Sequence, residues 1–466
     1  MSLYLGLSVE NLTNVNFNTE CMFIGKTGQF LSKLLKLNLS NAGFNMSNVR
    51  YVVRSNLCTG CGTCVGICPQ SALVIRKNEN TGVYQPEWNQ KKCVHCGMCL
   101  YVCPGYSSNI EKLNDALFGK KTTDSLLGHY EACYVGYSNE QRIRYNATSG
   151  GLVTALLTFA LDEGIIDGAL VTRMNPERPL EPEPFIAKSR NELISSSKSK
   201  YCPVHISSAL RQISEEKGKF AVVGLPCHIQ GIRKAERMNK CLQEKIRLHF
   251  GLFCSHTPSF LATNYLLWTL GIKKEDISKI DYRGRGWPGG MSILLRNGRR
   301  IFIPHQHPAT WGRVFGEYFY PFRCTLCSDA TAELSDLSFG DPWNLSIPGS
   351  KSSLVIVRSR IAADLIRDAL SQRKIELTSL KPEEVIYSQK GNLLFKKDLI
   401  VERLFLAKLF GANITLCSTS YPERGIQIRK LLNAMLFYCK INLTSKKSIF
   451  SPMLYPLLPY LYLKPR

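Results

Sequence analysis

The sequence predicts an α+β chain in two main parts, a small cysteine-rich module followed by a larger α/β domain. Three observations carry that expectation. A run of four cysteines closed by a proline occurs twice within the first quarter of the chain. Beyond it, short apolar runs rich in Val, Ile and Phe alternate with helical patterns. The composition, 44% hydrophobic and 20% charged over 466 residues, is that of a folded protein long enough for several domains.

The module comes first. Cys58, Cys61, Cys64 and Cys68, followed by Pro69, match Cys93, Cys96, Cys99 and Cys103, followed by Pro104, 35 residues on. Both read C-x2-C-x2-C-x3-C-P, the spacing of bacterial-type ferredoxins that hold two 4Fe–4S clusters. Three closely spaced thiolates wrap one face of a cubane, and the fourth points away to the other cluster. The expected sets are therefore Cys58, Cys61, Cys64 and Cys103, and Cys93, Cys96, Cys99 and Cys68. Gly60, Gly62 and Gly97 let the backbone pass close to inorganic sulfide. Structural zinc fits less well, because its sites use two separated knuckles. A bacterial-ferredoxin-like domain is expected over 48–110.

The remaining elements follow in order. Residues 1–47 carry an amphipathic segment, "GQFLSKLLKLNL", and form an N-terminal extension; "SSNIEKLNDALFGKKTTDS" reads as a polar connector. "GLVTALLTFALDEG" is apolar nearly all round and predicts a buried helix. "DGALVTR", "KFAVVG" and "IRLHFGLFC" predict buried strands. This larger domain is expected over 111–385 and to fold independently of the module, with a basic C-terminal region over 386–466.

Two sets of residues in the larger domain bear chemistry. Thr148, Ser149, Gly150 and Gly151 precede the buried helix, where free amides suit a phosphate and where a Ser or Thr equally suits a plain N-cap. No G-x-G-x-x-G follows a strand, so a dinucleotide-binding Rossmann unit has no support. Cys227 and Cys254 each lie just past a strand, and Cys324 and Cys327 form a CxxC. Neighbouring strand ends converge on one crevice, so these four make enough ligands for a third cluster. Zinc, or burial as small apolar residues, accounts for them equally at this level. Cys21, Cys133, Cys202, Cys241, Cys417 and Cys439 have no ligand-like spacing, and His228 and His256 flank the second set.

Charge and targeting set the outer bounds. Clustered cysteines without a basic leader or cleavage site predict metal ligation in a reducing compartment, hence a cytoplasmic protein. No apolar run reaches the roughly 18 residues of a membrane span. The net charge of +23 is partly offset by bound clusters, each about −2 by formal ligand counting. No zinc-finger, RNA-recognition or helix-turn-helix signature accompanies it, so nucleic acid is not expected as a partner. Residues 424–466 carry eight Lys or Arg and no Asp or Glu, interleaved with Leu, Tyr and Phe. Such a segment suits peripheral attachment to an anionic membrane or docking on an acidic partner, and packing on the larger domain suits it as well.

The segments "SGGLVTALLTFALDEGIIDGALV", "SSSKSKYCP", "VVGLPCHIQGIRK", "GLFCSH" and "CTLCSDATAELSDLSFGDPW" occur in order, and through them the chain resembles the beta-subunit family of coenzyme F420 hydrogenases and dehydrogenases. The resemblance covers roughly 48–375 and includes the appended two-cluster module. It implies a flavin-binding α/β domain that uses FAD to exchange hydride with a deazaflavin coenzyme and passes single electrons to 4Fe–4S clusters. A redox partner protein or a small-molecule hydride carrier would complete the path. It also implies Thr148, Ser149, Gly150 and Gly151 as flavin-phosphate contacts. Ser199, Lys200 and Tyr201 would form a flavin- or substrate-side loop, and Cys227, Cys254, Cys324 and Cys327 a core cluster. His228 departs from the pattern, which has glutamine there. No catalytic residue is assigned; Asp341 in "FGDPW" reads as a turn-forming Asp-Pro. The competing expectation is a non-catalytic multi-cluster relay subunit that binds no flavin.

Overall fold

The computed structural model describes residues 48–106, 109–119, 124–305, 314–345, 351–410, 412 and 425–444. The amphipathic segment expected within 1–47, Cys21 and Cys417 lie outside the described residues.

In the module, the two cysteine runs wind into one-turn helices, α1 (Thr63–Gly66) and α2 (Met98–Tyr101), joined by the antiparallel hairpin β1 (Leu73–Asn78) and β2 (Val83–Trp88). Gly62 and Gly97 occupy equivalent N-cap positions with φ of 82° and 74°, a left-handed conformation that glycine alone adopts freely. The expected connector departs from its reading. Ile110–Phe118 forms a helix, α3, capped by the Asn109 side chain and stopped by left-handed Gly119. Its apolar positions 110, 113 and 117 share one face, and Leu113 is buried.

The larger domain is built on an eight-stranded sheet. Its strands are β3 (Ala132–Ser138), β4 (Gly168–Met174), β5 (Pro182–Ala187), β6 (Phe220–Gly224), β7 (Ile246–Leu252), β11 (Leu337–Gly340), β12 (Ser353–Val357) and β13 (Ile375–Ser379). They lie in the order β13-β3-β12-β11-β7-β6-β4-β5. The central four, β4, β6, β7 and β11, are parallel, and antiparallel strands complete both sides. Strands β8 (Ile277–Asp281), β9 (Gly290–Leu295) and β10 (Arg300–Pro304) form a separate antiparallel sheet. The longer helices are α4 (Leu152–Asp162), α5 (Pro226–Glu236), α6 (Phe260–Thr269), α7 (Arg360–Ser371), α8 (Pro382–Ser388), α9 (Ile400–Leu409) and α10 (Ile428–Thr444).

Alternation along the strands divides the core. Ala169, Val171, Ala221, Val355 and Val357 face α4 and α7. Leu170, Phe220 and Val222 face α5 on the opposite side. The three strands and the buried helix read from the sequence all form, and α4 buries eight of its eleven residues.

The module and the larger domain share a core. Ile67 and Val102 pack in one cluster with Leu170, Ile206, Leu210, Phe220 and Ile232. Backbone bonds cross the junction from Ser207 N to Cys61 O (3.0 Å) and from Phe260 N to Gly82 O (2.7 Å). Lys234 Nζ donates to Cys103 O (3.1 Å) and Arg323 Nη2 to Pro104 O (3.0 Å). Packing of this kind opposes the independence expected of the larger domain, since removing the module would bare apolar surface. No break falls at residue 385 either, because α8 runs across that position. No helix among the described residues is long and apolar enough to cross a membrane.

Candidate redox centre

The thiols gather into three groups. Cys68 of the first run lines one cavity with Cys93, Cys96 and Cys99 of the second. Cys64 has Cys61, Cys103 and Cys58 as neighbouring thiols, and Cys58 has Cys103 and Cys61. The folded chain thus assembles the two crossed sets that the spacing predicts. The one-turn helices are the reason: each turns its fourth cysteine toward the partner run.

The third group sits at the carboxyl edge of the parallel strands. Cys254 follows β7, and Cys227 is in the first turn of α5, where Pro226 fills a position that needs no N–H. Strands β6 and β7 are parallel neighbours, with Val223 beside Phe250, so the two cysteines share an edge. Cys324 and Cys327 are brought in by the 3-10 turn Phe322–Leu326. All four line one cavity of about 60 Å³, together with Lys396, Asp329 and Cys58 of the module.

The three groups adjoin in succession. Cys227 feels Cys61 as well as Cys254, Cys324 and Cys327, and Cys64 feels Cys99. At the far end Cys96 is exposed, beside Val94 at 61% exposure. The succession therefore runs from a buried cavity to the surface.

Burial dominates the acid–base state of these thiols. It pushes Cys58, Cys64 and Cys227 upward, with their neighbouring thiols adding to the effect. Cys103 reaches about 11 and Cys254 about 12. Bare thiols would therefore stay protonated at neutral pH, and a bound metal is what stabilises them as thiolates. Among the described residues no three His, Cys, Asp or Glu side chains converge tightly enough for a single ion; the thiols instead surround cavities, as ligands of a polynuclear cluster do. Backbone N–H groups already point at sulfur, Gly60 N to Cys58 Sγ at 3.4 Å and Ala72 N to Cys68 Sγ at 3.3 Å.

His228 lines the same cavity but is fully engaged. Its Nδ1 accepts from Leu225 N (3.1 Å), and its Nε2 donates to Val204 O (3.0 Å). Burial holds its pKa at about 4, so the ring is neutral. His256 stacks on Tyr320, ring centroids 3.4 Å apart.

A second locus lies where the helix α4 N-terminus meets the loop 196–201. Thr148 Oγ1 accepts from Ser199 N (2.8 Å) and bonds Ser199 Oγ (3.1 Å), tying together two stretches predicted to share a site. Two of the predicted contacts are occupied internally. Gly150 N donates to Ser353 Oγ (2.8 Å), which also bonds Ser149 Oγ (2.9 Å). Lys200 Nζ donates to the carbonyls of Ser196, Ser197 and Lys198. Gly150 is also required by packing, because a Cβ there would strike the Gly136 carbonyl. Gly151, at φ 81°, caps α4.

Beside this locus stands Arg283, which the sequence reading missed. It is 0% exposed. Its Nη1 reaches Tyr201 OH (3.1 Å) and Asp341 Oδ2 (3.4 Å), while Nε and Nη2 have no hydrogen-bond partner among the described residues. Trp287 and Trp343, 5.1 Å apart, lie within about 6 Å of its guanidinium. Lys351 is held down at about 8 by burial and then by Arg283, Lys198 and Arg144. Four cations thus crowd one region near an aromatic pair. The available signal was "RGRGWPGG", a glycine-rich stretch with two arginines.

Rings of cysteine thiols on a ferredoxin-type module, joined to a doubly flanked parallel sheet, define an iron–sulfur protein. A 4Fe–4S dicluster domain matches residues 57–106. The beta-subunit model of coenzyme F420 hydrogenase/dehydrogenase matches at 133–211 with its N-terminal part and at 217–383 with its C-terminal part. The chain belongs to this family. It is 29% identical over 254 residues to a coenzyme F420 hydrogenase subunit beta of Methanothermobacter thermautotrophicus, covering 52% of this chain and 84% of that one. It is 31% identical over 308 residues to an uncharacterised protein of Methanocaldococcus jannaschii, covering 62% and 80%. A chain of the F420-reducing NiFe hydrogenase complex from Methanosarcina barkeri aligns with TM-score 0.47 and 22% identity, covering 61% of this chain and 94% of that one.

Proposed function

We propose that the protein is an FAD- and 4Fe–4S-dependent oxidoreductase subunit. It exchanges hydride with a deazaflavin coenzyme of the F420 kind and relays single electrons to a redox partner protein or a reducible substrate. The observation that carries this reading is the succession of three thiol groups from the buried cavity to exposed Cys96. Flavin, when bound, supplies the exchange between paired and single electrons. The chain's own residues do the rest. Cys227, Cys254, Cys324 and Cys327 hold a core cluster, Cys58, Cys61, Cys64 and Cys103 an inner one, and Cys68, Cys93, Cys96 and Cys99 an outer one.

Support for the flavin site comes from Arg283. A buried guanidinium with two unpaired nitrogens is costly, and an anionic group seated beside it would satisfy both. Lys198, Lys351 and Arg144 add positive field at the same place, and Tyr201, which Arg283 touches, belongs to the loop that Ser199 ties to Thr148. A relay without flavin is the second reading. It is favoured by the internal bonds that already occupy Gly150 N and Lys200 Nζ.

Anaerobic reconstitution followed by flavin and iron analysis separates the two. About twelve irons and one FAD per chain, with reduction of added F420 or oxidation of its reduced form, are expected from three 4Fe clusters. Full iron with no flavin would leave only the relay.

The partner-docking role of the C-terminal region extends the same proposal. Helix α10 anchors on Ala434 and Tyr438 and exposes Ile428, Leu432 and Leu436 in a stripe. That stripe leads into residues 445–466, which lie outside the described residues, and supports docking on an acidic partner or an anionic membrane.

A further inference from the structure

We propose that Lys396 is a positioning residue that raises the reduction potential of the core cluster by holding a fixed positive charge beside it; the inference rests on the core-cluster reading above. Lys396 lies beyond the matched family segments, on a π-helical turn spanning Leu394–Asp398. Turns of this kind are rare and concentrate at functional sites.

Its side chain is 1% exposed and lines the cavity with Cys227, Cys254, Cys324 and Cys327. Among the described residues no carboxylate forms an ion pair with it, and the reason lies in its neighbours. Lys397 takes Glu333 (2.5 Å), and Asp398 is taken by Lys430 (2.5 Å). Asp329 also lines the cavity, but its carboxylate accepts from Glu333 N. With 397 and 398 held in ion pairs of their own, residue 396 is the one left facing the cavity thiols.

The backbone is stapled there as well. Arg403 of α9 donates from Nη1 to Thr325 O (2.7 Å), between Cys324 and Cys327, and from Nη2 to Lys396 O (3.3 Å). Its guanidinium sits 4.1 Å from the Phe395 ring centroid. One arginine therefore fixes the lysine turn against the CxxC turn.

An ammonium held away from water carries a desolvation penalty that nearby negative charge must offset. The compensating charges that face Lys396 are Cys327, Cys254 and Cys324, with Arg403 opposing. Reduction adds one negative charge to a cluster held by those thiolates. A fixed cation stabilises the reduced form more than the oxidised one, so the potential rises. Cys58 of the inner group lines the same cavity, but the thiols that act on Lys396 are the three of the core group, so the inner cluster should feel it less and the outer one least.

The test is a redox titration, followed by electron paramagnetic resonance, of full-length reconstituted protein with Lys396→Met and Lys396→Arg. Lys396→Met should lower the core-cluster midpoint by at least a tenfold change in reduced-to-oxidised ratio, about 59 mV for one electron. The other two midpoints should move less than the core one, and Lys396→Arg should stay near the unsubstituted protein. Should Lys396→Met lose the core irons, Lys396→Gln is titrated in its place. Unchanged core midpoints in the neutral variants, equal shifts in all three clusters, or a fall in Lys396→Arg as deep as in Lys396→Met would overturn the proposal. About eight irons in the unsubstituted protein would instead overturn the core-cluster reading, and this inference with it.

Discussion

Gly66→Ala tests how closely the module must approach the larger domain. Gly66 ends α1, and a Cβ built there would overlap the Ser207 carbonyl oxygen and sit 3.1 Å from Leu210 Cβ. Both neighbours are buried and held by the shared core, and the carbonyl is backbone, so neither can swing aside. Reaching ordinary contact requires α1 to back away by roughly 1 Å, and overpacking of this size costs about 1–3 kcal/mol. The substitution also gains up to about 1 kcal/mol of helical preference, and Gly66 has no left-handed φ to lose. The net expectation is a destabilisation of about 1–2 kcal/mol. The internal repeat supplies the control, since Tyr101 holds the equivalent place in the second run and is 48% exposed. Tyr101→Ala should be neutral within about 0.5 kcal/mol. Thermal unfolding followed by loss of cluster absorbance checks both, and Gly66→Ala should melt below Tyr101→Ala. A Gly66→Ala protein as stable as the unsubstituted one would show that the junction gives way freely, and the argument for a rigid shared core would fail.

Three further outcomes are expected. Cys68→Ala should lose about four irons from the outer group, Cys93, Cys96 and Cys99, and loss from the inner group instead would reverse the crossed assignment. Arg283→Leu should bind less FAD while keeping its irons, and normal flavin content would remove Arg283 from the site. His249 links Glu236 (2.6 Å) and Asp336 (3.0 Å) inside the core. Burial and Arg233 disfavour its charge, but Glu236 and Asp336 outweigh them and raise its pKa above 6.5. Burial also opposes charge on Asp336, yet Arg233 and His249 depress its pKa below 3.8. The histidine's contribution is full below 6.5 and fades as pH rises through its folded value, and the aspartate's is full above 3.8 and fades as pH falls through its own. The stability lost in His249→Gln should therefore be greatest between those limits and shrink toward alkaline pH. A pH-independent loss would mean that the ring is neutral throughout.

The sequence alone determined the features carried by short spacing. Eight cysteines at fixed intervals predict a crossed grouping, because a one-turn helix carries the third cysteine and turns the fourth toward the other run, and the fold brings Cys68 beside Cys93, Cys96 and Cys99. Strands β4, β6 and β7 and helix α4 were legible because a continuous apolar run has few other uses in a chain this polar. Cys227 and Cys254 were placed on one edge by repetition of the same strand–turn plan. The tertiary structure decided what depends on distant approach. Gly66 and Tyr101 are equivalent in the repeat, and only docking against Ser207 makes one of them indispensable. Arg283 and Lys396 are single cations among 59 Lys and Arg, and nothing local separates a buried cation from a solvated one. Burial is set by what packs around a side chain. For Lys396 that is a ring of thiols drawn from three separate parts of the chain, with Glu333 and Lys430 pairing its two neighbours and leaving it beside the thiols.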